Sequence, residues 1–409
     1  MKASLSRAVA WMVVIALNII PLPQRAEAAD YRLTPSIRLG QGWDSNIFGT
    51  YSNDVSDFFT SVTPVFILAA ATPNLAMQLS AGVEGRWYYN YPEVSSAGYS
   101  KYVRLSSIEG GWRPTARFSV SPGVYYLETQ DQVARAFFVP VGPTLPTPGV
   151  ATYGLQMTRE FGASIGLGYK VSSSVAADVT MYGAAHQIPD QPGRVSDSRT
   201  IGAGASVRYT FSQASSAGVY GNGSSENFKN TSDSDARILE VGLLGSHRFS
   251  PFFVIDGRLG MSFVRQSASS PGATDQNVND PSGSITLVYS DNTFRASLHG
   301  DIGYTGLSGA NQVTRQGTIG ASLADNVTQQ WSWNLGGNYQ TQFNAYTGSG
   351  TVISRTVNGT GSINYTPWEW GTFDLTGNAT QEKDYLQGGT LNRYSVLLGF
   401  TLRKTYTAN

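Results

Sequence analysis

The sequence predicts an all-β protein, a transmembrane antiparallel up-and-down β-barrel. Three observations carry this. Apolar residues fall at every second position over repeated runs, short turns flanked by aromatics punctuate those runs, and only 14% of residues are charged against 12% aromatic and 45 glycines. An ordinary soluble domain carries about 25% charged residues. A membrane helix needs roughly 20 consecutive apolar residues; the N-terminal run from Ala8 to Ile20 is too short to span, and the longest apolar run after it is Val65 to Ala71. Strands with one greasy and one polar face satisfy both constraints, provided that the sheet closes on itself so that no backbone group is left unpaired in lipid.

The N-terminal residues stand apart from this pattern. Lys2 and Arg7 precede the apolar run from Ala8 to Ile20, and Ala26-Glu27-Ala28 supplies a small-x-small triplet. This reads as a secretory leader over residues 1–28, cleaved before Ala29, with 29–409 as a single outer-membrane β-barrel domain. The chain has no cysteine, which excludes a lipid-modified Cys anchor, disulfides and thiol chemistry. Twenty-eight basic residues balance 28 acidic ones, where a nucleic-acid partner would ask for a basic excess. The wealth of Tyr, Phe and Val argues against disorder.

The strands follow in order. Leu75-Met77-Leu79-Ala81-Val83 and Trp87 alternate with Gln78, Ser80, Glu84 and Arg86, the period-2 signature of a two-faced strand. The same alternation runs through Phe161 to Tyr169, Ile201 to Phe211, Leu239 to Phe249, Phe294 to Tyr304, Trp331 to Tyr339 and Tyr394 to Leu402. Between them lie short turns next to aromatics, such as Phe211-Ser212-Gln213-Ala214, Phe249-Ser250-Pro251-Phe252 and Tyr365-Thr366-Pro367-Trp368. About eight such turns, most of them roughly 36 to 41 residues apart, imply about 18 strands. Sixteen is the alternative, because the Gly-rich stretch Ser216 to Phe228 is weakly patterned. The opposite ends carry longer loops, near 48–56, 90–98, 129–150, 188–198, 229–235, 266–281, 305–313, 344–351 and 383–391.

The stretch "GWDSNIF" at 42–48 ends the first strand. Trp43 and Phe48 suit the aromatic girdle at the membrane boundary, and Asp44-Ser45-Asn46 suits a strand break. A calcium loop beginning at Asp44 would need oxygen ligands at Phe48 and Val55, which have none. Together with "SDFFTSVTPVFIL" at 56–68 and "GRWYYNY" at 85–91, this stretch resembles the start of an outer-membrane β-barrel porin family associated with bacterial exopolysaccharide export, the beta-barrel porin-2-like proteins. The resemblance covers roughly the first 65 residues after the leader, and Ser45 stands where that family commonly has an acidic residue. It marks Trp43, Asp44, Asn46 and Phe48 as motif residues. It also implies an outer-membrane conduit, a polysaccharide substrate and periplasmic export components as partners.

The polar register, which should face the lumen, includes Glu84, Arg86, Arg208, Glu240 and Asp256. It continues with Arg258, Arg295, His299 and Asp301, and further along the wall with Glu160, Lys170, Arg248, Asp374 and Arg403. A wall of both signs predicts weak ion selectivity, since selection needs rings of one sign. Tyr88 and Tyr182 point inward and offer faces on which sugar rings could stack, or simply pack the wall. The loop from Thr129 to Thr152 carries Phe137, Phe138 and Pro140. It is either a constriction folded into the pore or a cap over the neighbouring loops.

No cofactor or metal motif stands out. Gly166-x-Gly168 and Gly202-x-Gly204 lie within strands, whereas a phosphate loop must open a helix. Of the three histidines, His247 falls in the lipid-side register and His186 at a solvated rim. His299 shares the polar face with Arg295 and Asp301, as part of a bracing network or, in a hydrolase, as a catalytic base. The sequence therefore supports a conduit in the outer membrane, with outer-membrane lipid as its surroundings and no enzymatic role. A scaffolding barrel without an open pore is the alternative, and a hydrolase the third reading.

Overall fold

The computed structural model describes residues 30–51, 54–130, 149–150, 157–187, 197–229, 234–267, 275–308, 312–344, 351–385 and 388–408. The expected leader lies outside these residues. The chain forms one closed antiparallel barrel of 18 long strands. The first six are β1 (Asp30–Asp44), β2 (Asp57–Thr72), β3 (Leu75–Tyr88), β4 (Ser96–Trp112), β5 (Phe118–Thr129) and β6 (Thr158–Lys170). Next come β7 (Val175–Gln187), β8 (Asp197–Thr210), β9 (Ser215–Lys229), β10 (Ser234–Arg248), β11 (Phe253–Gln266) and β12 (Gln276–Ser290). The last are β13 (Phe294–Ser308), β14 (Gln312–Asp325), β15 (Trp331–Asn344), β16 (Val352–Trp368), β17 (Gly371–Asp384) and β18 (Gly389–Arg403).

Each strand pairs with its sequence neighbours, and β1 closes the ring on β18 from Ser36↔Arg403 to Asp44↔Ser395. Beyond β18 the strand is interrupted at Lys404 and Thr405 and resumes as Tyr406–Ala408, which extends the closing ladder to Tyr31↔Ala408. The Gly-rich ninth strand is complete, paired from Ser216↔Thr210 on one side and Ser215↔His247 on the other. This is a barrel of the outer-membrane type. Its period-2 outer face exposes large apolar side chains, Leu259 at 70% and Leu243 at 64%, which only a lipid surround can cover.

Aromatics gather at the tight-turn end. Trp331 stacks on Tyr365 at 4.5 Å, and Trp368 on Trp370 at 4.9 Å. The first strand begins and the last long strand ends on this side, which in such barrels is the periplasmic one. Strands β12 and β13 reach further into the 266–281 and 305–313 regions than the sequence pattern suggested, beginning at Gln276 and ending at Ser308.

On the lumen face, aromatic rings lie flat over glycines of the adjoining strand. A Cβ at Gly42 would meet the Phe59 ring at 2.4 Å, one at Gly162 the Tyr125 ring at 2.2 Å, and one at Gly202 the Tyr182 ring at 2.3 Å. Tyr182 is thus pressed onto the wall with its hydroxyl towards Asn222, and Tyr88 is buried in an apolar cluster with Ile47, Phe59 and Tyr99. Both serve packing and neither presents a free face to the channel.

Candidate functional site

The N-terminal motif folds as a lock between the first and last hairpins. Trp43 takes the outer register opposite Phe58. Asp44, on the inner register, is fully buried, and the Arg393 guanidinium of β18 donates to it through Nη2 at 2.5 Å and Nε at 3.1 Å. Asn46 donates to the carbonyls of Thr50 (2.8 Å) and Asn392 (3.3 Å) and to Asp54 Oδ1 (2.9 Å), while its Oδ1 accepts from the Thr50 amide at 3.1 Å. Every atom of the asparagine amide is spent on backbone or loop. Phe48 departs from the girdle position expected of it. It packs edge-on to Tyr91 at 5.6 Å, against the Ile47–Phe59–Tyr88–Tyr99 cluster, because the loop turns back over the barrel end and offers an apolar bed there.

A second bridge crosses the closure seam lower down. Arg38 of β1 donates through Nε to Asp374 of β17 at 3.2 Å, and its Nη2 reaches the other carboxylate oxygen. The side chains pass over Gly399 of the intervening strand, where a Cβ would sit 2.6 Å from both.

Among the lumen-register charges, Glu84 and Arg86 form a buried pair, with Arg86 Nη2 at 2.8 Å from Glu84 Oε1. The guanidinium is sandwiched between Phe59 (4.4 Å) and Tyr99 (4.0 Å). These two residues brace the wall and do not face the channel. Glu240 accepts from the Tyr220 hydroxyl at 2.7 Å and from Ser282 Oγ at 2.9 Å. The ladders place Arg258, Ser284 and Asp301 in one row, with Asp256, Thr286 and His299 in the next. Four charged or titratable groups of mixed sign therefore share one patch of β11–β13. Arg208, Asp256, Arg258, Arg295 and His299 are all exposed, with Arg208 apart on β8. His299 lies over Gly320, where a Cβ would be 2.2 Å from its ring.

His186 corrects the expectation of a solvated rim. It is 1% exposed, because its ladder partner is Glu160, whose Oε1 lies 3.2 Å from Nδ1. His247 bonds Ser215 Oγ at 2.7 Å and packs edge-on to Phe249 at 4.4 Å, an interfacial structural position. Among the described residues no group of three or more His, Asp or Glu could hold a metal ion.

Sequence reasoning missed an ionic cluster on the outer register at the loop end. Glu128 accepts from Lys101 Nζ at 2.8 Å, Arg159 Nε at 2.7 Å and the Tyr126 hydroxyl at 2.9 Å. The signal was present: three charges fall on positions that the alternation assigns to lipid, which is tolerable only above the hydrocarbon.

Phe137, Phe138 and Pro140 lie outside the described residues. Downstream of them, the backbone of Gly149 and Val150 runs parallel to Leu307 and Ser308 of β13. The chain leaves β5 and returns in β6, so this contact is made eight strands away, nearly opposite across the ring.

No protein-family profile matches the chain, and no curated protein matches it in sequence. The resemblance at 42–91 thus remains a local one. Solved structures to which the chain is similar include OccAB4 of Acinetobacter baumannii, at 11% identity and TM-score 0.41, covering 94% of this chain and 100% of that one. OccK1 (OpdK) of Pseudomonas aeruginosa aligns at 11% identity and TM-score 0.44, covering 93% and 100%. The siderophore receptor PirA of the same organism aligns at 10% identity and TM-score 0.40, covering 93% and 81%.

Proposed function

We propose that the chain is a passive outer-membrane conduit for polar solutes of little net charge. The observation that carries this is the exposed, mixed-sign inner face, with Arg208, Asp256, Arg258, Arg295 and His299 turned to the interior of a closed 18-strand wall. Strand spacing and tilt give such a ring a backbone diameter of about 35 Å. Charges on that face are stable only if water reaches them, and with Asp256 beside Arg258 on one strand they form no ring of a single sign that would select strongly for cations or anions. The local resemblance at 42–91 makes a neutral polysaccharide the substrate class to try first, with periplasmic export components as its suppliers.

The test is single-channel conductance of refolded protein in a planar bilayer, alongside a variant lacking residues 134–148. Stable steps with a reversal potential near zero under a salt gradient are expected, larger in the deletion if the long third loop narrows the bore. Silence from folded protein in both would refute the conduit and favour a scaffolding barrel.

A further inference from the structure

One stretch of the wall is not paired edge to edge. The β12–β13 ladder runs from Ser290↔Arg295 only as far as Gly283↔Ile302. Both strands continue beyond it: β12 stays paired with β11 to Gln276, and β13 with β14 to Leu307. Loopward of Gly283 the sheet has therefore split.

The side chains show where the freed edge has gone. Ile302 and Ile319 are exposed on the outer face of β13 and β14, so Tyr304, Val313 and Arg315, an even number of residues away, belong to the same outer register. Val313 is nonetheless 0% exposed, in a cluster with Phe228, Ala236 and Val264, and Tyr304 packs on the same cluster. Those three lie on the inner register of β9, β10 and β11, since Val219, Leu239, Leu243 and Leu259 take the lipid side. The outer face of one hairpin thus rests on the inner face of strands several places away.

The hydrogen bonds agree with this. The Val313 amide donates to Gln266 Oε1 at 3.3 Å, Arg315 Nη2 donates to the Pro281 carbonyl at 3.3 Å, and the Tyr304 hydroxyl donates to Asp280. Arg315 Nη1 lies 3.8 Å from Asp280 Oδ2. Cα atoms of β10 and β14 come within 8 Å although three strands stand between them in the ring. The wall overlaps itself like the edge of a scroll.

Pro281 explains why the edge can part there. In an antiparallel strand the N–H and C=O of a residue face the same edge. Pro281 has no N–H, and its carbonyl on the split edge is taken by Arg315. Two bridges from Gly149 and Val150 occupy the end of the β13 edge. Extending the observed register would pair Ser282 with Gly303 and so on up to Asn279 with Gly306, short of the two residues that Gly149 and Val150 occupy, so the two edges remain complementary over that length.

We infer that the loop-end halves of β13 and β14 form a size-determining gate of the conduit, held inside the barrel by Tyr304 and Arg315 on Asp280. Released, the hairpin re-pairs with β12 and restores the full bore. This rests on the conduit reading. A second layer of sheet packs about 10 Å inside the first and strands lie about 4.8 Å apart, so two strands stowed this way occupy about a fifth of the free cross-section of a barrel of this size. Freeing them should raise conductance roughly 1.25-fold.

The test combines two readouts on the full barrel. Tyr304→Phe and Asp280→Asn, shown to be folded by heat-modifiable mobility, should each raise the main conductance level by about that factor and add transitions between two levels. The chain has no cysteine, so Gln266→Cys with Val313→Cys gives one unique pair. A short bifunctional maleimide should join the pair and hold the channel at its lower level. Failure to cross-link in folded protein would refute the overlap, and unchanged conductance in both latch variants would refute the gate. Silence of every form removes the conduit and the gate together, with the cross-link still reporting whether the hairpin is stowed.

Discussion

Arg393→Ala should be among the most damaging single changes to this barrel. The Asp44 and Arg393 side chains are 0% and 8% exposed, and three guanidinium contacts of 2.5 to 3.1 Å join them. Truncating the arginine leaves a buried carboxylate with the Asn46 amide at 3.1 Å as a remaining donor. Removing one partner of a buried ion pair costs about 3–5 kcal/mol, because the stranded charge keeps its desolvation penalty. Arg265–Asp275 provides the control, a pair at 2.7 Å with side chains 66% and 40% exposed, for which Arg265→Ala should cost no more than about 1 kcal/mol. Urea unfolding from lipid vesicles, followed through the seven tryptophans that follow the expected leader, measures both. Adding Asp44→Asn to Arg393→Ala should recover part of the loss by removing the charge. The reasoning fails if Arg393→Ala costs no more than Arg265→Ala, or if the second substitution recovers nothing.

Arg86→Lys keeps the charge but loses the planar stacking between Phe59 and Tyr99 and the fork onto Glu84, so it should cost about 2–4 kcal/mol in the same unfolding assay. A loss below about 0.5 kcal/mol would mean that the sandwich contributes only as a point charge. Asp291, in the tight turn after β12, accepts from the Phe294 and Thr293 amides at 2.8 and 2.9 Å, and these bonds hold its carboxyl below the usual range. A depressed native pKa contributes stability above the unfolded value of about 3.9, and that contribution disappears as the pH falls through the native value. Asp291→Ala should therefore be less stable than the parent at neutral pH and converge with it in acid. A gap that stays constant down to pH about 2 would contradict this.

The barrel was legible because its cause is local. A run such as Leu239 to Phe249 declares its two faces within one strand, and the aromatic beside each tight turn marks where lipid ends. The Gly-rich ninth strand was the weak point of the pattern. Its inner-register Gly218 leaves room for the wall to come close, since a Cβ there would lie only 2.1 Å from the Val207 carbonyl oxygen. What escaped depends on partners far along the chain. His186 sits beside a loop in sequence, and only the ladder reveals Glu160 opposite it. Phe48 reads as a boundary aromatic until the loop is seen to turn inward. The overlap at β13–β14 is the deepest case, because alternation reports that a face is apolar without telling lipid from a second layer of protein. Two residues did hint at it: Pro281 inside a strand, where proline belongs at an edge, and Arg315 on a register otherwise given to lipid.

The closure by Asp44–Arg393 and Arg38–Asp374 joins residues 349 and 336 positions apart. Nothing made earlier can take the place of β18, so the first strand emerges with one edge bare and keeps it until almost the whole polypeptide has been made. Contacts of such long range are slow to form, and a bare strand edge invites pairing with other chains. Until the last strand is made, the free edge of β1 stands open to such pairing. Losing the last hairpin would remove Asp374 and Arg393, and with them both bridges that tie β1 into the ring.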